Sequence, residues 1–132
     1  MSKDGKVLAT ASAKGTLVRL WDTSNGEQMN ELRRGADQAI ISDISFDPTN
    51  QYVACASDKG TIHLFNTNKA DSSNATSKLA ALSGAISYFG SSWSACQMKI
   101  NDAYSKCAVN NGKVFAISTD GNYFMGNIGD GI

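Results

Sequence analysis

The chain has 132 residues and a mass of 14.0 kDa, with 12 Lys and Arg against 12 Asp and Glu. That length accommodates one domain, and the absent net charge leaves no global field toward nucleic acid or an anionic membrane. Apolar residues make up 42% and charged residues 18%, a composition that folds, while the apolar runs are too short for a membrane span or a signal peptide.

In chain order, strands are expected at 7–12, 16–22 and 27–32, then at 41–46, 52–57, 61–66 and about 86–89. A third group follows at 94–100, with a continuation to 109 left open, and at 113–118 and 122–128. Val7–Ser12 and Tyr52–Ser57 are apolar runs of strand length. Each is closed by a Lys-Gly turn, at 14–15 and 59–60, where glycine takes positive φ without steric cost. Each turn leads into an alternating strand. Asp47-Pro48-Thr49-Asn50 reads as a turn. Asn66–Ala85 is rich in Ser, Asn and Ala and is expected to be a long mobile loop; the one hint of helical periodicity is at Ser77–Leu82.

The chain repeats itself. Ala9-Thr-Ala-Ser-Ala-Lys-Gly-Thr-Leu17 matches Ala54-Cys-Ala-Ser-Asp-Lys-Gly-Thr-Ile62 at a shift of 45. Leu20-Trp21-Asp22-Thr23 then matches Leu64-Phe65-Asn66-Thr67 if one residue is skipped. Ala116–Tyr123 is a weaker third copy. A unit of roughly 40–45 residues with four short strands is the period of a WD40-type propeller blade. The fold class expected is therefore all-β, a partial WD40-type β-propeller of about three blades of antiparallel four-stranded sheet. The blades fall at 1–35 (incomplete), 36–90 (with the long loop 66–85) and 91–132 (incomplete). A closed ring needs at least four blades, so the chain is expected to be part of a larger propeller and, alone, to self-associate through open edges.

Chemistry concentrates where the first blade ends. Arg33 and Arg34 are adjacent and closed by Gly35. Neighbouring side chains of an extended strand point to opposite sides, so the pair serves two pockets. The repeat lines both with the same kit, Ser12, Lys14, Thr16 and Arg19 on one side and Ser57, Lys59, Thr61 and His63 on the other. Guanidinium forks, hydroxyls and ammonium groups together suit phosphate oxygens. As strand-end groups, the two arginines are expected to add little to the core. Cys55, Cys96 and Cys107 have no disulfide or zinc spacing and read as small buried residues of a reducing compartment. With a single histidine and no metal-ligand cluster, no catalytic residue, metal or cofactor is expected.

On Leu32-Arg33-Arg34-Gly35, preceded by the Ala9–Arg19 stretch and followed by its copy at Ala54–His63, the sequence resembles the PROPPIN family. The resemblance is strongest over about 8–65 and weaker over 86–128; Leu32 stands where Phe is commoner. It implies the C-terminal part of a seven-bladed propeller, about blades five to seven. It further implies binding of phosphatidylinositol 3-phosphate and 3,5-bisphosphate in two sites flanking the arginine pair. It also implies a loop that touches the bilayer, here with Lys69, Lys78, Leu79 and Leu82 as its basic and large apolar residues. The implied setting is cytoplasmic and peripheral, on autophagic or endosomal and vacuolar membranes. Implied partners are phosphoinositide lipids and autophagy proteins, with no nucleic acid. The competing reading is a generic WD40 scaffold that binds a peptide or protein, which has no need of the arginine pair between two Ser/Thr/Lys pockets.

Overall fold

The repeated turns organise the backbone. The computed structural model describes residues 1–68, 92–103 and 105–130. Residues 69–85 of the expected loop, with Lys69, Lys78, Leu79 and Leu82, lie outside the described residues, as do the strand at 86–89 and the helical hint at 77–82.

Eleven strands follow one another: β1 (Val7–Ala11), β2 (Leu17–Asp22), β3 (Gln28–Arg33), β4 (Ile41–Phe46), β5 (Tyr52–Ser57), β6 (Thr61–Asn66), β7 (Ser92–Trp93), β8 (Cys96–Lys99), β9 (Lys106–Asn110), β10 (Lys113–Ile117) and β11 (Tyr123–Asn127). A short 3-10 turn at Ile128–Asp130 comes after them. They form three sheets, ordered β1-β2-β3-β7, β4-β5-β6-β8 and β11-β10-β9. All pairings are antiparallel except β3–β7.

Two apolar layers hold the sheets face to face. Val18, Leu20 and Leu32 of the first sheet meet Val53, Cys55 and Phe65 of the second. The opposite face of the second sheet, Ala54, Ala56, Ile62, Leu64 and Met98, meets Cys107, Val109, Val114 and Ala116 of the third. Alternation along β5 and β6 thus serves two interfaces at once, which is why those strands are apolar on both faces. Each fully buried Val, Leu or Ile contributes about 1.5–3 kcal/mol. Ile117, Tyr123 and Met125 are exposed on the outer face of the third sheet, the kind of surface the expected self-association would use.

Two points of the expected strand plan change. The continuation of the 94–100 strand to 109, left open by the sequence, does not occur: Asn101 adopts a left-handed φ of 58° and turns the chain, and a separate strand begins at Lys106. Cys96–Lys99 then pairs with β6 and completes the second sheet, so the boundary at 90/91 falls too early. The second sheet is the expected four-stranded antiparallel unit; the three strands expected in the first sheet are joined by a parallel two-residue strand, and the third sheet has three strands among the described residues, as expected.

Candidate functional site

The two copies of Ser-x-Lys-Gly-Thr fold alike. Gly15 N–H donates to Ser12 O at 2.9 Å and Gly60 N–H to Ser57 O at 3.4 Å. Gly15 and Gly60 take φ of 67° and 68°, which l-residues with a side chain rarely adopt. A Cβ at Gly15 would lie 1.8 Å from the carbonyl oxygen of Ala39; at Gly60 it would lie 3.1 Å from Cα of Asn101. The skipped residue of the repeat lies in the first turn. Residues 12–17 separate the paired Ala11 and Val18, whereas 57–61 separate Ala56 and Ile62. Arg19 and His63 therefore occupy equivalent strand positions.

The next segment in each copy returns to its turn. Arg34 and Gly35 N–H both donate to Thr16 O, at 2.9 and 3.5 Å, and Ala39 N–H donates to Lys14 O at 3.1 Å. In the second copy Ile100 and Asn101 N–H both donate to Gly60 O, at 2.9 and 3.1 Å. The 34–40 segment also reaches the second turn. Asp58 N–H donates to Ile40 O at 3.0 Å, and the Asp58 carboxylate accepts Ile40 N–H at 3.0 Å.

Arg33 and Arg34 are 1% and 6% exposed, so both are buried within the fold, against the expectation that they add little to the core. Strand alternation separates them. Arg33 lies opposite Leu17 and shares the outer face of the first sheet with Glu31 and Arg19. Arg34 continues the face of Leu32 toward the second sheet. Its Nε donates to Gly15 O at 2.6 Å and its Nη2 to Asp37 O, so the guanidinium staples the turn to the 34–40 segment. Its charge reaches the second sheet. Burial, assisted by Arg34, holds the His63 imidazole down to about 4. Burial pushes the Cys55 thiol up to about 12, with Arg34 opposing. Both cysteine and histidine are thus uncharged at neutral pH.

The remaining candidates divide by exposure. Thr16, Ser57 and His63 are buried, Arg19 and Thr61 are half-buried, and Ser12, Lys14 and Lys59 are exposed around the turns. Arg19 does not stand alone: its Nε is 3.0 Å from Glu31 Oε2 across the β2–β3 pair. His63 Nδ1 lies 3.3 Å from Ser94 Oγ, and its ring stacks on Phe65 with centroids 6.5 Å apart. Among the described residues no group of three or more His, Cys, Asp or Glu is placed to hold a metal ion.

Residues 1–123 match the family model for PROPPIN. The chain belongs to the PROPPIN family. Over 69 residues it is 51% identical to the SVP1-like protein 2 of Neurospora crassa, covering 52% of this chain and 16% of that protein. Over 90 residues it is 46% identical to the autophagy-related protein 21 of Schizosaccharomyces pombe, covering 68% of this chain and 25% of that protein. The chain therefore spans a quarter or less of the length of these curated relatives. Among solved structures it resembles Hsv2 of Kluyveromyces lactis, with a TM-score of 0.68 and 27% identity over 97% of this chain and 46% of that one. The expected partial propeller is the fold of this PROPPIN chain.

Sequence reasoning missed four members of the site: Glu31, Ser94, Gln97 and Lys99. Gln97 lies opposite His63, Lys99 lies opposite Thr61, and Gln97 Nε2 donates to Ser94 Oγ at 3.3 Å. None belongs to the repeated motif. Only strand register, which the primary sequence does not display, brings them to it.

Proposed function

We propose that this chain contributes a paired binding site for phosphorylated inositol head groups of membrane lipids, phosphatidylinositol 3-phosphate and 3,5-bisphosphate, on autophagic or endosomal membranes. The observation that carries the reading is the arginine pair itself. The side chains of Arg33 and Arg34 leave the strand on opposite faces; Arg34 is fixed on Gly15 of the first Ser-x-Lys-Gly-Thr turn, and its charge reaches His63 on the strand that follows the second. The first pocket comprises Arg33, Gly35, Ser12, Lys14, Thr16 and Arg19. The second comprises Arg34, Ser57, Lys59, Thr61 and His63. Exposed Lys14 and Lys59 supply point charge at the rims, and the anchored Arg34 guanidinium supplies directed donors. Because Arg34 is already fixed on two carbonyl oxygens, little side-chain entropy is lost when an anion arrives. The names of the matched relatives, which include an autophagy-related protein, agree with this setting. Lys69, Lys78, Leu79 and Leu82 would add the membrane contact.

Vesicle co-sedimentation tests the reading. The chain should be retained on phosphatidylcholine vesicles only when phosphatidylinositol 3-phosphate is present. Lys14→Glu with Lys59→Glu, both at exposed positions, should weaken retention without loss of fold. Equal retention with and without the 3-phosphate overturns it.

A further inference from the structure

The two pockets are built on equivalent strand positions, and one position breaks the equivalence. Arg19 faces Glu31 across β2–β3, while His63 faces Gln97 across β6–β8. The first pocket therefore contains a carboxylate where the second has a neutral amide. Glu31 Oε2 lies 3.0 Å from Arg19 Nε, with the glutamate side chain 15% exposed and the arginine side chain 39% exposed. Glu31 also shares the outer face of β3 with Arg33. A carboxylate at this place fills the edge of the Arg19 fork that a phosphate oxygen would use, and it repels a phosphate dianion.

We propose that Glu31 is a resident competitor for phosphate in the first pocket: it holds Arg19, weakens that pocket, and makes the His63 pocket fill first. The proposal rests on the phosphoinositide reading given above. Glu31 acts through Arg19 and is a positioning residue. The pair of unequal sites gives one tight attachment to the bilayer and one that engages only at high head-group density, because the second event is intramolecular once the first has formed.

Glu31→Gln gives the first sheet the amide that the second already carries. Binding to phosphatidylcholine vesicles containing phosphatidylinositol 3-phosphate should tighten by about tenfold, the worth of one charge-assisted hydrogen bond returned to the ligand. A merely structural role would lower binding rather than raise it. The gain should vanish when Glu31→Gln is combined with Arg19→Gln, because no fork is then released. His63 is the only histidine of the chain, so its ring-proton resonance reports the second pocket without ambiguity. Titration with soluble inositol 1,3-bisphosphate should move that resonance with the same midpoint in the parent chain and in Glu31→Gln. Three results would each overturn the proposal alone: unchanged vesicle affinity in Glu31→Gln, a gain that survives Arg19→Gln, or a His63 midpoint that shifts as far as the vesicle affinity does. If no variant binds and the His63 resonance stays still, the phosphoinositide reading falls and takes the proposal with it. Melting curves of the parent and both variants establish that each is folded.

Discussion

The turn at 12–16 and the turn at 57–60 have the same backbone and different surroundings. In both, the glycine N–H closes onto the serine carbonyl, φ is near 67°, and one carbonyl of the turn accepts two N–H groups from the returning chain. The first turn is pressed against Ala39 and stapled by Arg34, and its strand carries the Arg19–Glu31 ion pair. The second turn is pressed less tightly against Asn101, and its strand carries a neutral His63 beside Ser94 and Gln97. Turn geometry is thus set by the few residues that repeat. The electrostatics is set by residues that strand pairing brings in from outside the repeat.

Substitution of the two glycines tests the geometric half of that contrast and has the largest expected effect. Gly15→Ala meets both an unfavourable φ and a carbonyl oxygen at 1.8 Å, so it should cost about 4 kcal/mol or prevent folding. Gly60→Ala has the same φ but its nearest atom is at 3.1 Å, and should cost about 2 kcal/mol. Gly26→Ala, at φ 75° with nothing within 4 Å, isolates the backbone term at about 1 kcal/mol. Urea unfolding of the three variants should rank them in that order. Equal losses at 15 and 60 would mean that the two turns are packed alike.

The staple is next. Arg34→Ala leaves Gly15 O and Asp37 O without the guanidinium, and should cost about 3 kcal/mol through desolvated, unpaired carbonyl groups. It also removes a positive charge that disfavours imidazolium, so the His63 titration should move upward. Arg34→Lys keeps the charge and loses the fork. It should therefore restore the His63 titration while recovering little stability. A His63 resonance that titrates identically in all three chains would show that Arg34 does not reach the second sheet.

The neutral histidine adds a pH dependence to one side only. The His63 imidazole lies near 4 in the folded chain against 6.5 for the free side chain. Between those values the unfolded chain binds the proton and the folded chain does not, so the stabilising contribution is complete above pH 6.5 and is lost as pH falls toward 4. The loss should be of order 2–3 kcal/mol. His63→Gln should flatten that part of the stability–pH curve, leaving only the slope from carboxylates. Urea midpoints at several pH values decide it. Curves that run parallel for parent and variant would place the imidazole in water.

Much of this architecture was legible in the sequence because the repeat carries it. The Lys-Gly turns predict φ and strand ends within a residue, and strand alternation alone separates Arg33 from Arg34. The sequence left the course of 100–109 open because at Asn101 a non-glycine residue takes the left-handed conformation and no turn motif announces it. The burial of the arginines was also hidden. An Arg-Arg-Gly string reads as a solvated end unless one knows that Gly15 O and Asp37 O lie within reach of the fork. Glu31 was hidden for a third reason. Its partner Arg19 is twelve residues away, and only the hairpin register makes them neighbours.

The Arg19–Glu31 pair should affect stability less than the glycines, Arg34 or His63. Arg19 is 39% exposed, so water screens the pair, and holding two long side chains in one geometry offsets much of the attraction. Glu31→Gln should change the unfolding free energy by less than about 1 kcal/mol, with Arg19→Gln in the same range. The double variant should differ little from the sum of the two. Glu31 is nonetheless mostly buried, and a coupling energy well above 1 kcal/mol in that cycle would make the pair a structural clasp of the first hairpin. A small coupling would show that Arg19 gains little stability from Glu31, and points to the charge of Glu31, felt by whatever approaches Arg19, as the difference between the two sheets at this position.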